Sequence, residues 1–322
     1  IGSYAFENCT ALSNVNFEDG SKLSSISESV FKGCKVLTRI DIPQNVTNIG
    51  DAAFEGCIAL SEVKFEDGSK LNSIGSFAFY NCKALNSIVI PENVIKLEAS
   101  AFNSSGLKSV TIPKSVTEID TAAFLGCKAL SNVNFENGSK LSSIGELVFG
   151  YCTALESINI PENVTKIGKG TFVDSGLKSI TIPKNVTDIG IDAFNMCKAL
   201  SDVKFESGSK LNSIGANAFL ECTSLTSIDI PESVATIGDN AFAYSGLKSV
   251  IVPKNVTFIY NTAFEECTAL ESIFISKDTL VYSGEMINTA SKALYEIKDS
   301  KVYITEITLG DGRSDVAIPE TI

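Results

Sequence analysis

The 322-residue chain contains no histidine, no tryptophan and only two methionines. Without imidazole there is no histidine general base, no histidine metal ligand and no Ser-His or Cys-His nucleophile pair. Long apolar runs are missing too, and with them any stretch of the kind that spans a bilayer as a helix. Positive charge is scarce, 26 Lys and Arg against 38 Asp and Glu, for a net charge of −12. That balance argues against nucleic acid or an anionic membrane surface as the main partner. No G-x-S-x-G, P-loop or G-x-G-x-x-G occurs, and the many serines and threonines have no base to activate them.

What the chain has in quantity is one phrase. Residues 49–65 read IGDAAFEGCIALSEVKF, and the skeleton I-G-x-x-A-F-x-x-C-x-x-L-x-x-[VI]-x-[FI] returns along most of the length. Aligned on the Ala-Phe dipeptide or its variants, a phenylalanine falls at 6, 31, 54, 79, 102, 124, 149, 172, 194, 219, 242 and 264. The spacings are 22, 23 or 25 residues, and from Phe54 onward three of them make a super-repeat of 70. Length alone suggests about two domains. The repeat overrides that reading, because a segment this short buries its apolar face only against copies of itself. The chain opens inside a repeat, with no signal-peptide pattern, as a piece of a longer protein would.

The unequal lengths have local causes. The 25-residue coils carry FEDGSKL (65–71) where others carry IPENV (90–94), and the two extra residues make a glycine turn. The 22-residue coils replace NCKAL (81–85) with SSGL (104–107), so Gly106, Gly176 and Gly246 are expected at positive φ. The pattern L-x-x-I-x-I at 85–90 alternates like a short strand, and such strands are expected to pair in parallel from coil to coil. Proline follows at 43, 91, 113, 161, 183, 231 and 253, ending pairing there. A second, shorter extended stretch leads into Gly-Asp-Ala-Ala-Phe, where one helical turn, α or 3₁₀, is expected with Asp51 as N-cap.

The combined phrase L-x-x-I-x-I-P-x-x-V-x-x-I-G-x-x-A-F-x-x-C resembles the leucine-rich repeat variant of BspA-like bacterial surface proteins over residues 1–275. The resemblance and the repeat together imply an α/β leucine-rich-repeat solenoid, mainly β. It is expected as a right-handed coil of about twelve 22–25-residue repeats, with a parallel sheet on one face and short helical turns elsewhere. Residues 276–322 lack the phrase and read as a C-terminal cap or a linker to a further array. Within them 284–293 suggests a short helix, 294–309 a hairpin around Lys298-Asp299-Ser300-Lys301, and 316–322 the start of another coil.

The outward position between the inward strand residues forms one column: Lys64, Val89, Thr111, Asn134, Asn159, Thr181, Lys204, Asp229 and Ile251, with Asn16, Asp41 and Phe274 at its ends. Solenoids bind partners on extended faces of this kind, although a solvated sheet face has the same pattern. Tyr80, Tyr151 and Tyr244 follow the core phenylalanine and read as anchors or as ordinary surface tyrosines. The nine cysteines share one repeat position, and their parallel Cβ vectors, odd number and loss from the 22-residue coils favour buried free thiols over disulfides. The Glu-Asp-Gly turns and their relatives (18–20, 66–68, 136–138 and 206–208) lack calcium-loop spacing and read as turns. Sequons at Asn8, Asn45, Asn103, Asn163, Asn185 and Asn255 follow the repeat itself. Stacking is expected to set Glu92 beside Lys114, Glu162 beside Lys184 and Glu232 beside Lys254.

No metal or other cofactor is expected. The resemblance implies an extracellular, cell-surface, adhesin-like module without enzymatic activity. Its partners would be host or bacterial surface proteins or glycans, with no nucleic acid and no direct membrane insertion, and it would act as a monomer. The alternative is a spacer that holds another domain away from the cell.

Overall fold

The computed structural model describes residues 1–18, 20–275, 279–282, 286–287, 293–298 and 301–307. The chain forms two compact units, Ile1–Val164 and Thr165–Ile322. Each is a parallel-sheet β-solenoid whose coils follow the phenylalanine phrase, about eleven turns in all.

The core is a stack of rings. In the first unit Phe6, Phe31, Phe54, Phe79, Phe102, Phe124 and Phe149 lie with neighbouring centroids 5.2–5.7 Å apart and planes within 17°. In the second, Phe172, Phe194, Phe219, Phe242 and Phe264 repeat this at 5.1–5.4 Å. All are buried except Phe6, at the end of the row. Leu60, Cys57 and Ile49 and their equivalents close the core around each ring.

The segment carrying the ring is not a helix. Ala52, Phe54 and Gly56 donate their N–H groups to Ser76, Ala78 and Tyr80 of the next coil at 2.7–2.8 Å, while Ala53, Glu55 and Cys57 donate three residues back at 3.0–3.3 Å. The second unit repeats this, with Asp192, Phe194 and Met196 bonding to Ala216, Ala218 and Leu220 at 2.8–2.9 Å. An α-helix turns every donor onto its own carbonyls. Here alternate donors leave the segment, so no helix propagates, and among the described residues only Asn261–Phe264 makes a helical turn. Asp51 accordingly caps no helix, and its Oδ1 accepts the N–H of Ser76 in the next coil.

This alternation requires left-handed residues two before and two after the ring: Ala52 (φ 53°) and Gly56 (φ 70°), Phe77 and Asn81, Asp192 and Met196. For a residue with a side chain each such position costs roughly 1–2 kcal/mol. The hydrogen bond it allows returns about 0.5–1.5 kcal/mol, and burial of the ring covers the rest. The left-handed positions are therefore not Gly106, Gly176 and Gly246 as expected from sequence; those three lie outside that region. Gly106 is small for another reason, since a Cβ there would sit 2.0 Å from the carbonyl oxygen of Lys83. The turn glycines Gly68, Gly138 and Gly208 do take positive φ, at 72°, 78° and 76°.

Two sets of strands run along each unit. The short strand after the proline or the glycine turn makes the continuous ladder: Ser25–Ile26, Asn48–Ile49, Ser73–Ile74, Lys96–Leu97 and Glu118–Ile119 pair in parallel in the first unit. Lys166–Ile167, Asp188–Ile189, Ser213–Ile214, Thr236–Ile237, Phe258–Tyr260 and Leu280–Tyr282 do so in the second. The L-x-x-I-x-I strands were expected to pair at every step and do not. They pair fully only two by two: Arg39–Ile42 with Glu62–Phe65, Ser109–Ile112 with Asn132–Phe135, Ser179–Ile182 with Asp202–Phe205, and Ser249–Ile251 with Ser272–Phe274.

Proline explains the interruption. Where a 25-residue coil follows, Glu66, Glu136 or Glu206 supplies an N–H to Ile42, Ile112 or Ile182 of the preceding coil at 3.0–3.1 Å. In the next coil that position is Pro91, Pro161 or Pro231, which has no N–H to give. Between Glu62–Phe65 and residues 86–90 no strand pairing remains among the described residues, and the following step keeps one bridge, Val89 to Thr111. The same glutamates reinforce the step they close, because a carboxylate oxygen of Glu66, Glu136 and Glu206 accepts the N–H of Gln44, Lys114 and Lys184 at 2.8–3.0 Å.

Beyond residue 275 the continuous ladder gains one more rung, Leu280–Tyr282, whose antiparallel neighbour is Met286–Ile287. Those two residues and Ala293 are strand where a helix was expected over 284–293, and the rest of that span lies outside the described residues. The expected hairpin is present, Ala293–Lys298 against Lys301–Ile307 with Lys298 opposite Lys301. Residues 316–322 lie outside the described residues.

Stacking makes each ring the neighbour of two others, so its removal leaves a closed cavity. Phe124→Ala is expected to cost about 3–5 kcal/mol in urea unfolding. A loss below about 1 kcal/mol would contradict the ring stack as the core.

Candidate binding face

The outward strand positions are exposed in each unit: Lys64, Val89, Thr111, Asn134 and Asn159 in the first, Thr181, Lys204, Asp229 and Ile251 in the second, while the residues flanking each along its strand point inward. Register makes them neighbours: Asp41 lies opposite Lys64, Val89 opposite Thr111, Thr111 opposite Asn134, Thr181 opposite Lys204 and Ile251 opposite Phe274. Three members are apolar and open to solvent, Val89 at 82%, Ile251 at 70% and Phe274 at 61%. Ile251 and Phe274 form a cross-strand pair on the second unit, whereas Val89 sits beside the interrupted step of the first. Lys204 is tied to Asp202 at 2.8 Å, and on the first unit Arg39 bridges Asp41 and Glu62 at 3.0 Å.

The aromatic residues of the turn segment lie elsewhere. Tyr151 and Tyr244 are exposed at left-handed positions after their rings, and Tyr80 packs edge-on against Phe77 at 5.8 Å. The expected ion pairs between successive coils do not form at Glu92 and Lys114 or at Glu232 and Lys254, as no such contact within 4.0 Å occurs among the described residues. All four side chains are exposed, where attraction is offset by hydration and side-chain entropy. Pairs do form at Lys32 with Glu55 and at Lys96 with Glu98, Glu118 and Asp120.

Other candidate groups are occupied by the stack itself. The side-chain amides of Asn45, Asn163 and Asn255, three of the sequon asparagines, donate to carbonyls of the preceding coil (Ser21, Ser139 and Glu232) at 2.7–3.1 Å. The carboxylate of Glu66 holds a backbone N–H. No group of three or more Cys, Asp or Glu side chains suited to a metal ion occurs among the described residues.

The repeat phrase, the ring stack and the paired parallel ladders agree with one family profile. The BspA type leucine rich repeat region matches residues 1–104, 72–201 and 189–305, in six copies. The chain belongs to the BspA-type leucine-rich repeat family. No functionally curated protein matches it. Among solved structures it is similar to a leucine-rich repeat protein from Bacteroides ovatus, with 28% identity and a TM-score of 0.50 over 79% of this chain and 77% of that one. A leucine-rich repeat protein from Eubacterium ventriosum shares the fold at 23% identity and a TM-score of 0.57, over 87% and 85%. A leucine rich cell surface protein from Faecalibacterium prausnitzii matches at 28% identity and a TM-score of 0.46, over 80% and 78%. Among the described residues no helix is long and apolar enough to cross a membrane.

In this BspA-type array the cysteines are core groups. All nine are free, and all but Cys9 are buried. Each buried thiol donates to the carbonyl oxygen of the core phenylalanine in the preceding coil, as Cys57 to Phe31 and Cys127 to Phe102, both at 3.1 Å. In the 22-residue coils Ser105, Ser175 and Ser245 stand in that row, each 3.3 Å from the sulfur of the next coil's cysteine. Burial pushes the Cys57 thiol up to about 12, with the Cys34 thiol adding to the rise. Burial likewise raises Cys127 and Cys197 to about 11 against hydrogen bonds from Ser105 and Ser175.

A thiol held neutral in the folded state and free to ionise when unfolded stabilises the fold below its ordinary pKa. That contribution is lost as pH rises from about 9 toward 11. At pH 8, iodoacetamide is therefore expected to label Cys9 alone in the native protein and all nine thiols in urea. Fast native labelling of Cys127 or Cys197 would contradict the buried row.

Proposed function

We propose that the chain is a non-enzymatic binding module of the bacterial cell surface, which presents to proteins or glycans the outward column of its wide face, the face built from the L-x-x-I-x-I strands. One observation carries this reading: a rigid backbone holds a row of exposed, adjacent side chains that differ between copies, while the inward rows stay nearly constant. Equivalent coils present Lys64, Asn134 and Lys204; Val89, Asn159 and Asp229; or Thr111, Thr181 and Ile251. Core rows have no such freedom, since each ring and thiol must fit its neighbours. Variation along an exposed row beside an invariant core is what a recognition surface needs. Membership of a repeat family whose members resemble surface proteins supports the extracellular placement. The residue types support the absence of catalysis, since the sequence has no histidine to serve as a general base.

A spacer reading has its own support in the 70-residue duplication, which adds length without adding chemistry. Arrays of bacterial and host surface proteins and of glycans separate the two. The binding reading predicts a captured ligand whose affinity falls at least about tenfold on alanine substitution of Val89, Thr111 and Asn134 together with Thr181, Lys204 and Asp229, with Tm unchanged. Capture that survives those substitutions, or no capture by the intact chain, would favour the spacer.

A further inference from the structure

We propose that the interrupted steps of the wide face are clefts that hold an extended, cationic segment of a partner polypeptide. The proposal deepens the reading of the outward face as the binding surface and rests on it.

The first cleft lies between Glu62–Phe65 and the coil that follows, with a volume of about 660 Å³. That size is in the range of ligand sites, roughly 300–1,000 Å³. One wall is Glu62 through Ser69, the other Val89 and Pro91 through Asn93. The apolar floor shows through where the strands part. Val63 is 8% exposed and Ile88 6%, against 0% for Ile40 on the paired side, and Phe65 is half-buried.

The walls are an open sheet edge on the inside of the array. At paired steps the inward residues offer their carbonyls to the next coil, as Ile42 does to Glu66. By the same register Val63 and Phe65 turn carbonyls into the cleft, and Ser87 and Val89 turn N–H groups toward them. No backbone partner joins these two rows among the described residues. A polypeptide segment supplies both donors and acceptors at the strand repeat, and its alternate side chains reach an apolar floor.

Charge selects the sign of the occupant. Glu66, Asp67 and Glu92 line this cleft, with Glu62, which Arg39 already bridges, at its rim, against one lining ammonium, Lys64. Arginine suits such a rim, because its planar fork donates to carboxylates and backbone carbonyls alike while its stem packs on apolar surface. The same opening recurs 70 and 140 residues on. Val133 and Ile158 are 6% and 5% exposed beside half-buried Phe135, and Val203 and Ile228 are 7% and 6% exposed beside half-buried Phe205. Repeated weak sites on one chain favour a partner whose basic residues also repeat.

The test uses the full chain and a fluorescein-labelled decapeptide of alternating Arg and Val, with the Glu-Val decapeptide as control. The Arg peptide is expected to bind, to weaken with salt, and to slow amide exchange at 87–90, 157–160 and 227–230, while the Glu peptide does neither. The deciding variant is Pro91→Ala with Pro161→Ala and Pro231→Ala. It restores the missing N–H, lets the strands pair and leaves every rim charge in place. Affinity is expected to fall about tenfold with Tm unchanged or raised, as each unmade backbone bond is satisfied internally. Unchanged affinity in that variant overturns the clefts as the site. If binding is then lost in Thr111→Arg with Thr181→Arg, the outward-face reading survives and the cleft reading alone falls. If neither variant matters, both fall. Proline-sensitive binding of a neutral glycan in place of the Arg peptide would overturn the class of occupant.

Discussion

The structure depends on where alternate backbone N–H groups go in the ring-bearing segment. Donors that bond to the next coil fix the axial spacing, and that spacing brings the rings to 5.1–5.7 Å in nearly parallel planes. Coils of 22, 23 and 25 residues stack on one another because this segment keeps constant geometry in all of them. Differences in length are absorbed on the rest of the circuit, by the glycine turn on one side and by the Ser-Ser-Gly contraction on the other. The thiol row follows from the same spacing, as each sulfur reaches the ring residue's carbonyl one coil back.

Proline then decides how the other face is built. Each coil offers carbonyls to its successor, and the successor answers in full where the residue after its strand is Glu66, Glu136 or Glu206 and loses the pairing where it is Pro91, Pro161 or Pro231. The continuous ladder of two-residue strands holds the coils together, so the wide face can remain partly unpaired without loss of the fold. Unpaired edges inside a sheet are also protected from edge-to-edge aggregation by the coils on both sides. The outward column therefore combines closed steps, such as Thr111 beside Asn134, with open ones beside Val89.

Much of this was legible in the sequence. The phenylalanine column, the inward and outward alternation, the buried thiols and the hairpin at Ala293–Lys298 and Lys301–Ile307 all follow from periodicity, which depends on side chains. What was not legible depends on backbone direction. The left-handed positions are occupied by Ala52, Phe77, Met196 and Glu221 as well as by glycine, so composition hid them. A partial signal existed two residues after the ring, where Asn8, Gly33, Gly56, Asn81, Gly126 and Asp174 are enriched in types that tolerate φ > 0. The helical turn was expected with Asp51 as the N-cap of Gly-Asp-Ala-Ala-Phe, and axial bonding overrode it. Glu66 reads as a turn acid in sequence, while its clamp on Gln44 depends on a residue one coil away. The unformed Glu92–Lys114 pair shows that correct register does not by itself bring two exposed charges together.

Amide hydrogen exchange on the free protein tests the central claim most directly, since it reads each backbone donor separately. If alternate donors bind coil to coil, the N–H groups of Phe54, Phe102 and Phe194 exchange only through opening of the array, whereas those of Ser87 and Val89 exchange orders of magnitude faster. Equal protection of Val89 and Phe102, or fast exchange at Phe102, would contradict an array held by its ring-bearing segment and opened by proline on its wide face.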